Sequence, residues 1–206
     1  MLHAAERFNA LSHVVGAGLA LAGLVALVWR AAARDDTWSV AACSAYGATL
    51  LLLYTSSALY HSHQGRAKDA LRRLDHSAIY MLIAGTYAPF SLVTLRGPRG
   101  FWLLGGVSAL AAAGIFCEFL PLRRRSRVAV PLYLASGWLA VLAIGPLVRA
   151  LPAPALALVL GGGVLYTLGV PFYALDQRLR WGHGAFHLFV LAGSVAHFAA
   201  IFSYVA

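Results

Sequence analysis

Two histidines four residues apart, His183 and His187, open the last apolar run of the chain. On a helix that spacing puts both imidazoles on one face about one turn apart, which suits two ligands of one metal ion. An H-x-x-x-H pair is a weak signal by itself, because interfacial histidines that merely hydrogen-bond share the spacing. A third histidine, His61, ends another apolar run, with Ser57 four residues earlier on the same face and about one turn, roughly 6 Å, away. Three histidines with an open coordination position form the pattern of catalytic zinc sites, where water becomes a nucleophile near neutral pH. Asp75 leads a third run. It has three possible roles: orienting a ligand histidine, accepting a proton from the water, or serving as a fourth ligand.

These residues meet only if the elements that carry them end at one place. The chain has 206 residues, 61% hydrophobic and 11% charged. Soluble domains carry about a quarter charged residues, so the composition is that of a membrane protein. A spanning helix needs roughly 20 mostly apolar residues. Seven runs qualify: Leu11–Trp29, Trp38–Tyr60, Ser77–Leu95, Phe101–Phe119, Val128–Val148, Pro154–Tyr173 and Phe186–Val205. Breaks between them are marked by charge, Gly or Pro. No linker or low-complexity tract interrupts them, so a single all-α domain over residues 1–206, a seven-transmembrane helix bundle, is expected. Trp29, Trp38, Trp102 and Trp181 lie at or near the ends of runs, as an interfacial aromatic belt requires. Pro89 and Pro146 fall inside runs and predict kinks. The first run is read as a span rather than a cleaved signal peptide, because Glu6, Asn9 and His13 precede or enter it in place of a simple basic stretch.

Charge sets the orientation. On one side fall Arg7, Arg66, Lys68, Arg72, Arg73, Arg123, Arg124, Arg125, Arg127, Arg178 and Arg180, eleven in all. The other side receives Arg30, Arg34, Arg96, Arg99 and Arg149, five in all. The positive-inside rule then puts the N-terminus in the cytoplasm and the C-terminus outside. His61, Asp75, His76, His183 and His187 all arrive at the cytoplasmic face, as do Glu6, Asn9 and His13. Ionisable groups converging at one membrane depth are functional candidates.

The remaining features have plainer readings. The net charge of +9 and pI near 10.2 reflect topology determinants beside anionic lipid, not a nucleic-acid surface. His63 lies further into a loop than His61 and is read as solvated. His76 points away from Asp75 on a helix and is read as packing or interfacial. His197 lies about 15 Å deeper than His187 and cannot share its ion; it is expected to bond inside the bundle. The Arg123–Arg127 run reads as a lipid-headgroup patch. Gly161–Gly163 and the pair Gly105, Gly106 signal close helix packing. Cys43 and Cys117 sit towards opposite faces, so no disulfide is expected.

Taken in order, Ser57-Ala-Leu-Tyr-His61, Leu74-Asp75-His76-Ser77 and His183-Gly-Ala-Phe-His187 resemble the motifs of the progestin and adipoQ receptor family. Glu6-Arg-Phe-Asn9 and Gly85-Thr-Tyr-Ala-Pro89-Phe are similar to its bacterial hemolysin III branch. The resemblance spans essentially the whole chain. It implies seven helices with the N-terminus inside, Zn2+ on His61, His183 and His187, and Ser57 and Asp75 associated with the site. For the bacterial branch it implies a cell inner (plasma) membrane location. Relatives are linked to hydrolysis of ceramide amides, and the bacterial branch to haemolytic, pore-like activity and to membrane lipid homeostasis. Three functions follow as alternatives: a metal-dependent hydrolase of a lipid amide or ester, a pore-forming cytolysin, or a non-enzymatic sensor of membrane state with structural zinc. Membrane lipids or a lipid-like substrate are the expected partners. The outer loops are too small to dock a protein hormone, and none is expected.

Overall fold

A bilayer core offers no water to backbone N–H and C=O groups, so an apolar chain of this kind satisfies them within helices. The computed structural model describes residues 4–120, 122–176 and 178–206. Among these residues seven helices are long and apolar enough to cross a membrane, and no strand is present. They are α1 (Ala4–Ala32), α2 (Thr37–Ser62), α3 (Lys68–Thr94), α4 (Pro98–Glu118), α5 (Val128–Ala150), α6 (Ala153–Ala174) and α7 (Gly182–Tyr204). Short connections make sequential helices antiparallel neighbours. In the α1–α2 turn Asp35 takes a left-handed φ of 54°, and the Asp36 carboxylate accepts a hydrogen bond from the Trp38 backbone N–H at 3.3 Å. α7 packs against α1 as well as α6, which brings the two ends of the chain together laterally.

All seven expected spans are present, but three begin well before the point hydropathy indicates, α1 at Ala4 rather than Leu11 among them. α3 starts at Lys68 rather than Ser77, and α7 at Gly182 rather than Phe186. Hydropathy marks the lipid-immersed part of a helix, not the helix itself. The polar first turns of α3 are held by Asp69 bonding Arg72 at 2.8 Å and Arg73 at 3.0 Å, at i,i+3 and i,i+4 spacing. These extensions put Asp75 and His183 on helix instead of loop.

The two prolines disturb their helices as expected. Beyond Pro89, α3 widens into a π turn over Phe90–Thr94. Ahead of Pro146, α5 tightens into 3-10 turns over Trp138–Ala143. The Tyr87 hydroxyl serves that irregular backbone, lying 3.0 Å from the Ser136 carbonyl, 2.8 Å from the Gly137 carbonyl and 2.8 Å from the Ala140 N–H.

Tight helix packing is only partly where glycine runs suggested it. A Cβ on Gly162 would come within 3.2 Å of the Gly193 carbonyl on α7 and strike the His197 ring, so this crossing needs glycine. Gly105, in contrast, has open space at its Cβ position, and Gly106 meets only Leu139, at 3.6 Å. On α4 the close approach is made by Gly114, which lies under the Tyr80 ring. Trp29 and Trp102 are 81% and 82% exposed, as lipid-facing anchors should be. Cys43 and Cys117 are free. The side chains of the Arg123–Arg127 run lie outside the described residues.

Candidate metal centre

The C-terminal end of α2 and the first two turns of α7 meet at one end of the bundle. His61 (3% exposed) and His187 (2% exposed) are buried there, and His183 is half-buried beside them. Ring centroids are 4.7 Å apart for His183 and His187, and 4.9 Å for His61 against each. One ligand atom from each histidine lies within 4.8 Å of the other two. Among the described residues this is the one group of three or more His, Cys, Asp or Glu side chains placed to hold a metal ion. Two of its members come from one helix at i,i+4 spacing; the third comes from more than a hundred residues away.

The chemistry of the donor set suits a cation. His61 Nδ1 is 2.6 Å from Glu6 Oε2. A carboxylate only accepts, so the neutral ring carries its hydrogen on Nδ1 and keeps the lone pair on Nε2. That Nε2 is buried and has no hydrogen-bond partner among the described residues. A buried acceptor left unsatisfied is costly, and the lone pair of a neutral imidazole can be donated to a metal ion. His183 Nδ1 lies 3.4 Å from Asp176 Oδ2, and His187 Nδ1 lies 3.4 Å from Ser12 Oγ. The His187 ring also donates to the Asn9 carbonyl.

Ser57 (2% exposed) and Asp75 (7% exposed) are buried next to this cluster and are hydrogen-bond partners of each other. Both line a cavity of about 150 Å³ that His183, His187 and His13 also line. From the histidines the cavity runs inward between apolar walls that include Leu53, Phe186 and Val190. Asp75 is thus beside the cluster but not one of the three grouped donors. The orienting contacts to histidine come instead from Glu6 and Asp176.

Other histidines stand apart. His63 is exposed and caps the end of α2. His76 turns away from the cluster, its Nδ1 3.4 Å from Glu118 Oε2 on α4. His197 donates from Nε2 to the Val159 carbonyl at 2.9 Å, a bond inside the bundle. Sequence reasoning had brought Glu6, Asn9 and His13 to this end without a role, and had not singled out Ser12 or Asp176. The first three are spaced i, i+3, i+7, which is one face of a helix; that periodicity was the available signal. Asp176 sits in the α6–α7 connection, where no periodicity operates.

Residues 2–198 match the model of a family described as haemolysin-III related. Over 201 residues the chain is 41% identical to Hemolysin-3 of Bacillus cereus, covering 97% of this chain and 91% of that protein. It is 40% identical to the Hemolysin-3 homolog of Bacillus subtilis (strain 168), covering 97% and 93%. The human Monocyte to macrophage differentiation factor is 29% identical over 176 residues, covering 82% and 73%.

Proposed function

The chain belongs to the haemolysin-III related family, within the progestin and adipoQ receptor group, and from that premise we propose that it is a zinc-dependent hydrolase of a lipid amide or ester. It is an integral membrane protein of seven helices. The observation that carries the proposal is the buried Nε2 of His61, without a hydrogen-bond partner among the described residues, grouped with His183 and His187, which line a cavity with apolar walls. His61, His183 and His187 would hold the ion. Zinc, when bound, supplies Lewis acidity: it makes water a better nucleophile and polarises a carbonyl.

The chain's own residues do the rest. The apolar walls bind an acyl chain and leave its carbonyl at the histidine end. Asp75, held by Ser57, takes the proton released as water oxygen bonds to the carbonyl carbon. The same carboxyl returns that proton to the leaving nitrogen or oxygen as the C–N or C–O bond breaks. The products are a fatty acid and an amine or alcohol. In this reading the histidine end faces the cytoplasm of a cell inner (plasma) membrane, supported by the excess of Lys and Arg on that side.

The name of the Bacillus relatives suggests lysis. A pore needs polar groups along its whole depth, whereas here the ionisable groups gather at one end and His197, the deep exception, is bonded to the Val159 carbonyl. The hydrolase reading therefore stands first. Its test is fatty acid release from ceramides and from ester lipids by the zinc-loaded purified protein, followed by mass spectrometry. Loaded protein that releases none from any of them refutes it.

A further inference from the structure

Three neutral imidazoles bring no negative charge to a divalent cation, and the membrane end of a helix bundle is a poor place to leave two positive charges uncompensated. The structure puts two carboxylates on the far sides of those imidazoles. Glu6 Oε2 meets Nδ1 of His61 at 2.6 Å, and Asp176 Oδ2 meets Nδ1 of His183 at 3.4 Å. Neither comes from the helix whose histidine it touches: Glu6 is on α1 and Asp176 is in the α6–α7 connection. Glu6 is itself anchored, its Oε1 lying 3.2 Å from Lys68 Nζ on α3. Lys68 in turn lies over the Tyr60 ring, 4.9 Å from its centre.

We infer that Glu6 and Asp176 are positioning residues of the metal centre, which hold His61 and His183 with Nε2 inward and bring negative charge close behind those two rings. This rests on the metal reading given above. A carboxylate behind a ligand imidazole fixes its tautomer and ring plane and raises its basicity. Each carboxylate lies outside the ligand set, so its removal leaves all three donors in place.

The test uses the full chain in detergent, stripped with EDTA. Zinc affinity is measured by competition with a chromophoric chelator, beside the visible spectrum of the Co2+ form and the melting temperature of the metal-free protein. Glu6→Gln and Asp176→Asn are expected to bind zinc about 10–100-fold more weakly, with shifted Co2+ bands and unchanged metal-free melting. Glu6→Asp, which restores the charge on a shorter stem, recovers part of the loss. If the wild type takes up no zinc, the metal reading falls and this inference with it. If the wild type binds and both variants match it in affinity and spectrum, the positioning role alone is overturned. Weaker binding accompanied by an equal loss of metal-free stability also overturns it, since a general structural defect then suffices.

Discussion

The imidazoles of His13 and His187 lie face to face, with centroids 3.6 Å apart and planes within 10°. His13 is buried, and neither of its ring nitrogens has a hydrogen-bond partner among the described residues. Its edge meets Tyr54 at 5.0 Å, and the Tyr54 hydroxyl donates to Ser194 Oγ at 2.8 Å. The ring of His187 is therefore set from two directions, by this stack and by the Ser12 contact at its Nδ1. His13→Ala should destabilise the protein by roughly 1–3 kcal/mol, a drop in melting temperature of about 2–4 °C per kcal/mol. His13→Phe, which keeps a flat ring, should lose less than half of that. Equal losses for the two variants would show that the stack does not matter.

Removing any one of the three grouped histidines leaves two donors. His61→Ala, His183→Ala and His187→Ala are each expected to purify with less than about a tenth of the wild-type zinc content by elemental analysis, because two neutral ligands do not make a structural or catalytic zinc site. His63→Ala and His76→Ala, which alter histidines outside the cluster, should retain the wild-type content. Wild-type zinc in any of the three cluster variants would dissolve the proposed ligand set.

Asp75 and Ser57 should separate chemistry from metal binding. Asp75→Asn is expected to keep its zinc and lose about 10²–10⁴-fold in kcat, the usual contribution of a proton-transferring side chain. Ser57→Ala removes one hydrogen bond to a carboxylate. A bond of that kind contributes roughly 1.5–3 kcal/mol, so a loss of about 10–100-fold is expected. Zinc content and turnover measured on the same preparations decide the matter; zinc lost in step with activity in Asp75→Asn would make it a ligand.

Chain-length selectivity should follow the cavity. Gly163 lines it, and a Cβ added there meets nothing nearer than Trp138, at 3.8 Å. Gly163→Phe therefore fills the deep part of the cavity without disturbing the histidines. Turnover of long-chain amides or esters should fall about tenfold or more relative to short-chain ones. An unchanged chain-length profile would mean that the acyl group lies elsewhere.

Orientation is open to chemical labelling. In a background with Cys43→Ala and Cys117→Ala, His63→Cys and Ala33→Cys place exposed thiols at opposite ends of the bundle. A membrane-impermeant maleimide added to intact cells should label Ala33→Cys and spare His63→Cys. Inverted membrane vesicles should give the reverse pattern. Labelling of His63→Cys in intact cells would invert the proposed topology.

The sequence by itself determined the seven spans, because a bilayer accepts few polar residues over some twenty positions and each run declares its own length. It also determined that His183 and His187 share a helix face, since spacing of four has one geometric meaning, and that His61 reaches the same end. The starts of α1, α3 and α7 were not legible; in α3, Asp69 with Arg72 and Arg73 stabilises first turns that hydropathy does not register. Tertiary structure alone decided which acidic residues serve the histidines. Glu6 and His61 are 55 positions apart, and nothing local to either encodes their 2.6 Å contact. Asp75, the nearer candidate by motif, faces Ser57 and His76 and is not one of the grouped donors. The same holds for the stack of His13 on His187 and for Gly114, rather than Gly105, as the close approach on α4. Periodicity tells which side of a helix is apolar or polar. It does not tell which neighbour that side will face, because the rotation of one helix against another is set by the packing of all seven.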